Sequence, residues 1–211
     1  MKKVVLTSLA TLGLALGAFG QGAIFIDNVN AAGYLNIGDD IATATHYTGP
    51  MYVEIWYKND PATAADTAIN SLNGIKGQAP AAYAMLTADG FTLATHINAT
   101  DAAAKPASGG VLSGFDVLQI PGINRVGNAA GNTLFGVVFW TGNSPTLPGG
   151  VNGGVLTFNN PTSDYTLQPP PGAPAMDNWP VDLVMTPIPE PGTFALAGLG
   201  AAALLIFRRR K

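Results

Sequence analysis

Glu54 is the one glutamate between residues 21 and 187, and it stands between two aromatic residues at period-two spacing, Tyr52 and Trp56. A carboxylic acid beside aromatic rings suits sugar contact, because rings stack on pyranose faces while the acid takes hydroxyls; hydrolysis needs a second carboxylate across a cleft. Trp140 supplies a further ring from a distant stretch. Tyr52, Glu54, Trp56 and Trp140 are therefore the candidate glycan contacts, for a binding module or a weak glycan-active enzyme. The competing reading is the solvent face of a half-exposed strand, and the pattern favours it. Other chemistry-bearing residues are sparse. His46 and His96 each sit beside a threonine, far apart and without a His-Glu-x-x-His pair, so no metal site is expected. Asp27, Asp39-Asp40 and Asp101 lack calcium-loop spacing and read as turn formers. The chain has no cysteine, which excludes structural disulfides, thiol catalysis and Cys-ligated zinc. No Gly-x-Ser-x-Gly elbow occurs, and Gly109-Gly110 and Gly149-Gly150 lie in loops that open no helix. The expectation is no catalytic residue, no cofactor and no metal.

The elements that would position these residues are short strands. Met51 to Lys58 alternates Met51, Val53, Ile55 and Tyr57 against Tyr52, Glu54, Trp56 and Lys58. Similar signals cover Ala23 to Asn28, Phe91 to Ile97, Phe115 to Ile120, Gly154 to Phe158 and Val181 to Met185. Leu134 to Trp140 is nearly all apolar, which places it at the centre of a sheet, covered on both faces. Strands separated by Gly, Pro, Asn and Asp predict an all-β, antiparallel β-sandwich of jelly-roll or Ig-like kind. Asp60 to Gln78 reads as a long connection with a short helix after Pro61, capped by Asp60. Gln168 to Pro174 reads as a stiff polyproline spacer, and Asn98-Ala99-Thr100 is a formal sequon.

Both ends differ from this body. Lys2-Lys3, an uncharged apolar stretch from Val4 to Phe19 and small residues up to Gly20 predict a signal peptide, residues 1–20, cut by signal peptidase between Gly20 and Gln21. At the other end Pro189-Glu190-Pro191 precedes an apolar run, Thr193 to Phe207, closed by Arg208-Arg209-Arg210-Lys211. The run is short for a span of the roughly 30 Å hydrocarbon core, but snorkelling arginines shorten the need. The basic end predicts a cytoplasmic C-terminus and a transmembrane helix over 193–207, with an ectodomain at 21–187 outside the inner membrane. The prolines keep the preceding segment extended and accessible. Between Gln21 and Pro187 four Lys/Arg face twelve Asp/Glu, a net charge of about −8, which makes nucleic acid and anionic lipid poor partners.

Pro189-Glu190-Pro191, the helix and the basic stop, in that order, resemble the PEP-CTERM sorting domain of Gram-negative bacteria. The resemblance covers residues 188–211. It implies recognition of Pro189, Glu190 and Pro191 by exosortase, a membrane-embedded protease/transpeptidase-like enzyme, in organisms that make exopolysaccharide. It further implies a secreted protein with a structural or interaction role, held in the inner membrane and then released to the cell surface or matrix, with exopolysaccharide as a neighbour. In layout, Gln21 to Asn28, Gly49 to Tyr57 and Phe139-Trp140 are similar to ectodomains of uncharacterised verrucomicrobial PEP-CTERM proteins.

Overall fold

The computed structural model describes residues 21–26, 31–60, 62–97, 117–121, 132–164 and 172–189. The expected signal peptide, the sequon, most of the polyproline spacer and the tail from Glu190 onward lie outside these residues. Strands within them are β1 (Gln21–Phe25), β2 (Leu35–Ile37), β3 (Thr45–His46), β4 (Tyr52–Lys58), β5 (Thr92–Ile97), β6 (Val117–Pro121), β7 (Asn132–Trp140), β8 (Asn152–Pro161), β9 (Ser163–Asp164) and β10 (Leu183–Pro187). Two helices, α1 (Thr67–Asn70) and α2 (Ala79–Ala88), and a 3-10 turn at Leu147–Gly149 complete the set.

Seven strands form one sheet in the order β3-β2-β10-β8-β7-β4-β5, and β6-β1-β9 form a smaller one. The large sheet is mixed, not wholly antiparallel as expected: β10 runs parallel to β2. Parallel neighbours need a long connection between them, and here most of the domain intervenes.

β7 takes the interior position its composition predicts, between β8 and β4, and is buried from Thr133 to Trp140. Its alternation sorts two cores. Phe135, Val137 and Phe139 join Val53, Ile55, Leu156, Phe158, Leu183 and Met185 in a cluster that includes Ile24, Ile26 and Ile120 of the small sheet and its flank. Leu134, Val138 and Trp140 face the other way, with Trp56, Val155 and the helical residues Ile69, Ala82 and Leu86. Gly136 lets the helix approach the sheet closely, since a Cβ there would stand 2.7 Å from Leu86 Cδ2. α2 begins with Pro80 in its first turn and stops at Gly90, whose φ of +80° suits only glycine. This helix falls between the expected connection, which ends at Gln78, and the expected strand from Phe91.

The long connection also differs from expectation. Asp60 caps a turn, accepting from Ala62 N and Thr63 N, while the helix starts later, with Asp66 accepting from Ala68 N and Ile69 N. Two asparagines, Asn70 half-buried and Asn73 buried, then tie the connection to the sheet. Asn70 accepts from Thr157 N at 2.7 Å and donates to Thr157 O at 2.8 Å, taking the place of a neighbouring strand on β8. Asn73 does the same for β10, accepting from Val184 N at 3.0 Å and donating to Asp182 O at 2.7 Å. β10 and β8 pair only at Thr186–Gly153 and Pro187–Asn152, and beyond that pairing the asparagines satisfy their backbone groups. No helix among the described residues is long and apolar enough to cross a membrane, and the expected span at 193–207 lies outside them.

Candidate functional site

The four candidate glycan residues come together on the helix-covered face of the large sheet. Register does this: on β4 and β7 Tyr52 lies opposite Trp140 and Trp56 opposite Gly136, and on β5 His96 lies opposite Glu54. Tyr52 stacks on Trp140 with ring centroids 5.2 Å apart and planes 8° from parallel. His96 tilts against both rings, at 6.0 Å and 5.6 Å.

Glu54 is the polar centre. One carboxylate oxygen accepts from Trp56 Nε1 at 2.9 Å, and the other lies 3.2 Å from His96 Nδ1. Tyr83, reaching down from α2, bonds the same carboxylate and stands edge-on to Trp56 at 5.9 Å. Burial, and then the charge and hydrogen bond of Glu54, push the Tyr83 phenol up to about 12.

The solvent-face reading of β4 is corrected by this packing. Glu54 is 5 % exposed and Trp56 7 %, because α2 and Phe91 cover that face; Trp140 is fully buried and donates Nε1 to Ser144 O at 3.0 Å. Tyr52 and His96 remain half-buried. Chemically, the arrangement holds a carboxylate by ring and phenol donors and orients an imidazole. Tyr83 and the Glu54 partnership of His96 escaped the sequence reading, since a strand register and an unplaced helix carry them.

Elsewhere the remaining candidates are in ordinary roles. His46 meets Asn36 Oδ1 at 2.9 Å on the sheet edge, Asp39 pairs with Lys76 at 2.9 Å, and Asp40 caps Thr43, whose bonds hold its carboxyl below the usual range. Asp27 and Asp101 lie outside the described residues. Among those described, no group of three or more His, Cys, Asp or Glu side chains is placed to hold a metal ion. Two shallow grooves, of about 450 and 480 Å³, share Pro180 and are lined mainly by Ala and Asn side chains, apart from the Glu54 cluster.

The C-terminal end of β10 is the other feature with functional content. Thr186 Oγ1 donates to Ile75 O at 3.2 Å, Gly77 N donates to Pro187 O at 3.1 Å, and Ile188 N donates to Val151 O at 2.9 Å. Ile188 is buried with Leu147 and Trp140, while Pro189 emerges exposed against Gly77, where a Cβ would stand 3.0 Å from the proline ring. From this point the chain matches one known model. Residues 187–211 are a PEP-CTERM protein-sorting motif.

The sorting motif implies exosortase as processing partner, membrane anchoring through the C-terminus, and then passage to the cell surface or beyond. It includes the predicted recognition residues Pro189, Glu190 and Pro191 and the basic stop Arg208 to Lys211; of these only Pro189 is among the described residues. The expected signal cleavage at Gly20/Gln21 meets the structure only at Gln21, the first residue of β1. No curated protein and no solved structure matches the chain, and the resemblance to verrucomicrobial ectodomains is not shown.

Proposed function

We propose that this protein is a non-enzymatic cargo of the exosortase route, a β domain with a structural or interaction role at the cell surface or in the matrix, close to exopolysaccharide. The observation that carries this reading is the sorting motif joined directly to a folded sheet domain at Pro187. Export by an N-terminal signal, removal of residues 1–20 by signal peptidase and a cytoplasmic Arg208 to Lys211 before processing belong to the same proposal. So does the two-sheet sandwich, jelly-roll or Ig-like, supported by the apolar cluster that Ile24 and Ile120 share with β4, β7 and β8. Burial of Trp56 and Trp140 favours a structural role over glycan contact, because buried rings offer no face to a sugar.

Intact-mass analysis of the protein from cells with and without exosortase tests the route. Loss of the basic tail only where the enzyme is present is the expected result; an intact Lys211 in both strains would refute it. Glycan-array binding by the exported chain tests the role. Binding that falls when Tyr52 is replaced by Ala would restore the carbohydrate-contact reading.

A further inference from the structure

The sorting motif leaves the folded domain without a linker. Ile188 is the last buried residue among those described, and Pro189, Glu190 and Pro191 follow it at once in the sequence. Three extended residues reach at most about 11 Å. An enzyme surface of standard size, about 800 Å² per partner, extends roughly 16 Å from its centre. Any enzyme that encloses the motif backbone therefore meets the surface of the domain around the exit.

That surface has a distinct character. The chain leaves between two exposed aliphatic side chains, Val151 at 62 % and Ile75 at 48 %. Backbone bonds fix their places: Val151 O holds Ile188 N, Ile75 O holds the Thr186 hydroxyl, and Gly77 N holds Pro187 O. Ile41, 61 % exposed, packs against Gly74 next to them. Among the described residues, the cation at this face is Lys76, which pairs with Asp39.

We infer that this exit face, centred on Ile75 and Val151, is a docking surface for the extracytoplasmic rim of the processing enzyme, so that recognition extends from the sorting motif onto the folded domain. This rests on the exosortase reading above. The partner chemistry is an apolar protein patch. A bilayer fits less well, because a domain of about −8 is repelled by anionic headgroups and the face carries no unpaired lysine or arginine among its described residues.

The test follows tail removal by pulse-chase and intact mass in cells carrying the enzyme, with the full chain. Ile75→Asp and Val151→Asp are expected to slow removal about tenfold each, as loss of a central interface anchor does. Leu93→Asp, an equally exposed aliphatic on the far edge strand β5, is expected to process at the normal rate. Val151→Ser supplies a milder variant, and thermal melts of each establish that the domain is folded. A flexible insert of about ten residues between Ile188 and Pro189 is expected to make removal insensitive to Ile75→Asp, since the domain no longer has to fit. A photoreactive amino acid in place of Val151 is expected to form an adduct with the enzyme. Normal processing of folded Ile75→Asp and Val151→Asp would overturn the docking surface alone, and so would an adduct with lipid only. Failure of the unaltered chain to be processed at all would instead remove the exosortase reading on which the proposal stands.

Discussion

The buried side chain of Glu54 is satisfied by the groups around it. A buried carboxylate is costly unless donors meet it, and Trp56, Tyr83 and His96 do so. Glu54→Ala leaves those donors facing a cavity, so we expect a loss of about 3 kcal/mol in urea unfolding; Glu54→Gln, which keeps the shape, is expected to cost about half as much. Tyr83 gives this site a pH signature. Its folded value, about 12, lies above the ordinary phenol value near 10, so the native state holds the proton more tightly than the unfolded chain. The contribution is complete below about pH 10 and is lost as pH rises towards 12. Tyr83→Phe is expected to flatten the alkaline limb of the stability curve, read by thermal melts across that window. The aromatic pattern of β4 was readable beforehand, but the donors were not, because they come from β5 and α2 and nothing local links them to Glu54.

Among the elements, the connection from Asp60 to Gln78 depends on side chains that act as strands. Asn70 bridges both backbone groups of Thr157, and Asn73 bridges Val184 N and Asp182 O. Asn70→Ala leaves two backbone groups of β8 without a partner and should cost about 2–3 kcal/mol, whereas Asn70→Asp, which retains only the acceptor, should be intermediate. Hydrogen exchange at Thr157 is the direct measurement. Asn and Thr are abundant in this weakly charged body. Several are buried bonding groups, among them Asn160 and Thr157, and no periodicity distinguishes a bridging asparagine from one in an exposed turn. α2 was more readable than that: Pro80, a run of good helix formers and Gly90 are start and stop signals.

For the whole molecule, the junction between domain and tail is the decisive place. Ile188 fills space beside Leu147 and Gly153, and β10 lies between β2 and β8 in the large sheet. Processing is therefore expected to leave Ile188 on the domain, and the C-terminal residue of the released protein, read by mass spectrometry, checks this. Ile188→Asp should destabilise the domain by about 2–3 kcal/mol through burial of an unpaired charge. Gly77→Ala should cost about 1 kcal/mol, because its φ of +79° and the ring of Pro189 both oppose a methyl group.

What the sequence determined by itself is what local pattern encodes. Short strand signals located β1, β4, β5, β6, β8 and β10, a nearly continuous apolar run located β7, and the ordered motif, apolar run and basic end identified the sorting tail, which a linear recognition signal allows. Tertiary structure alone decided which strands are neighbours, that β10 runs parallel to β2, and that α2 covers the face of Glu54. The reason is that strand pairing and burial are set by contacts between residues far apart in the chain, and those contacts leave no spacing to read.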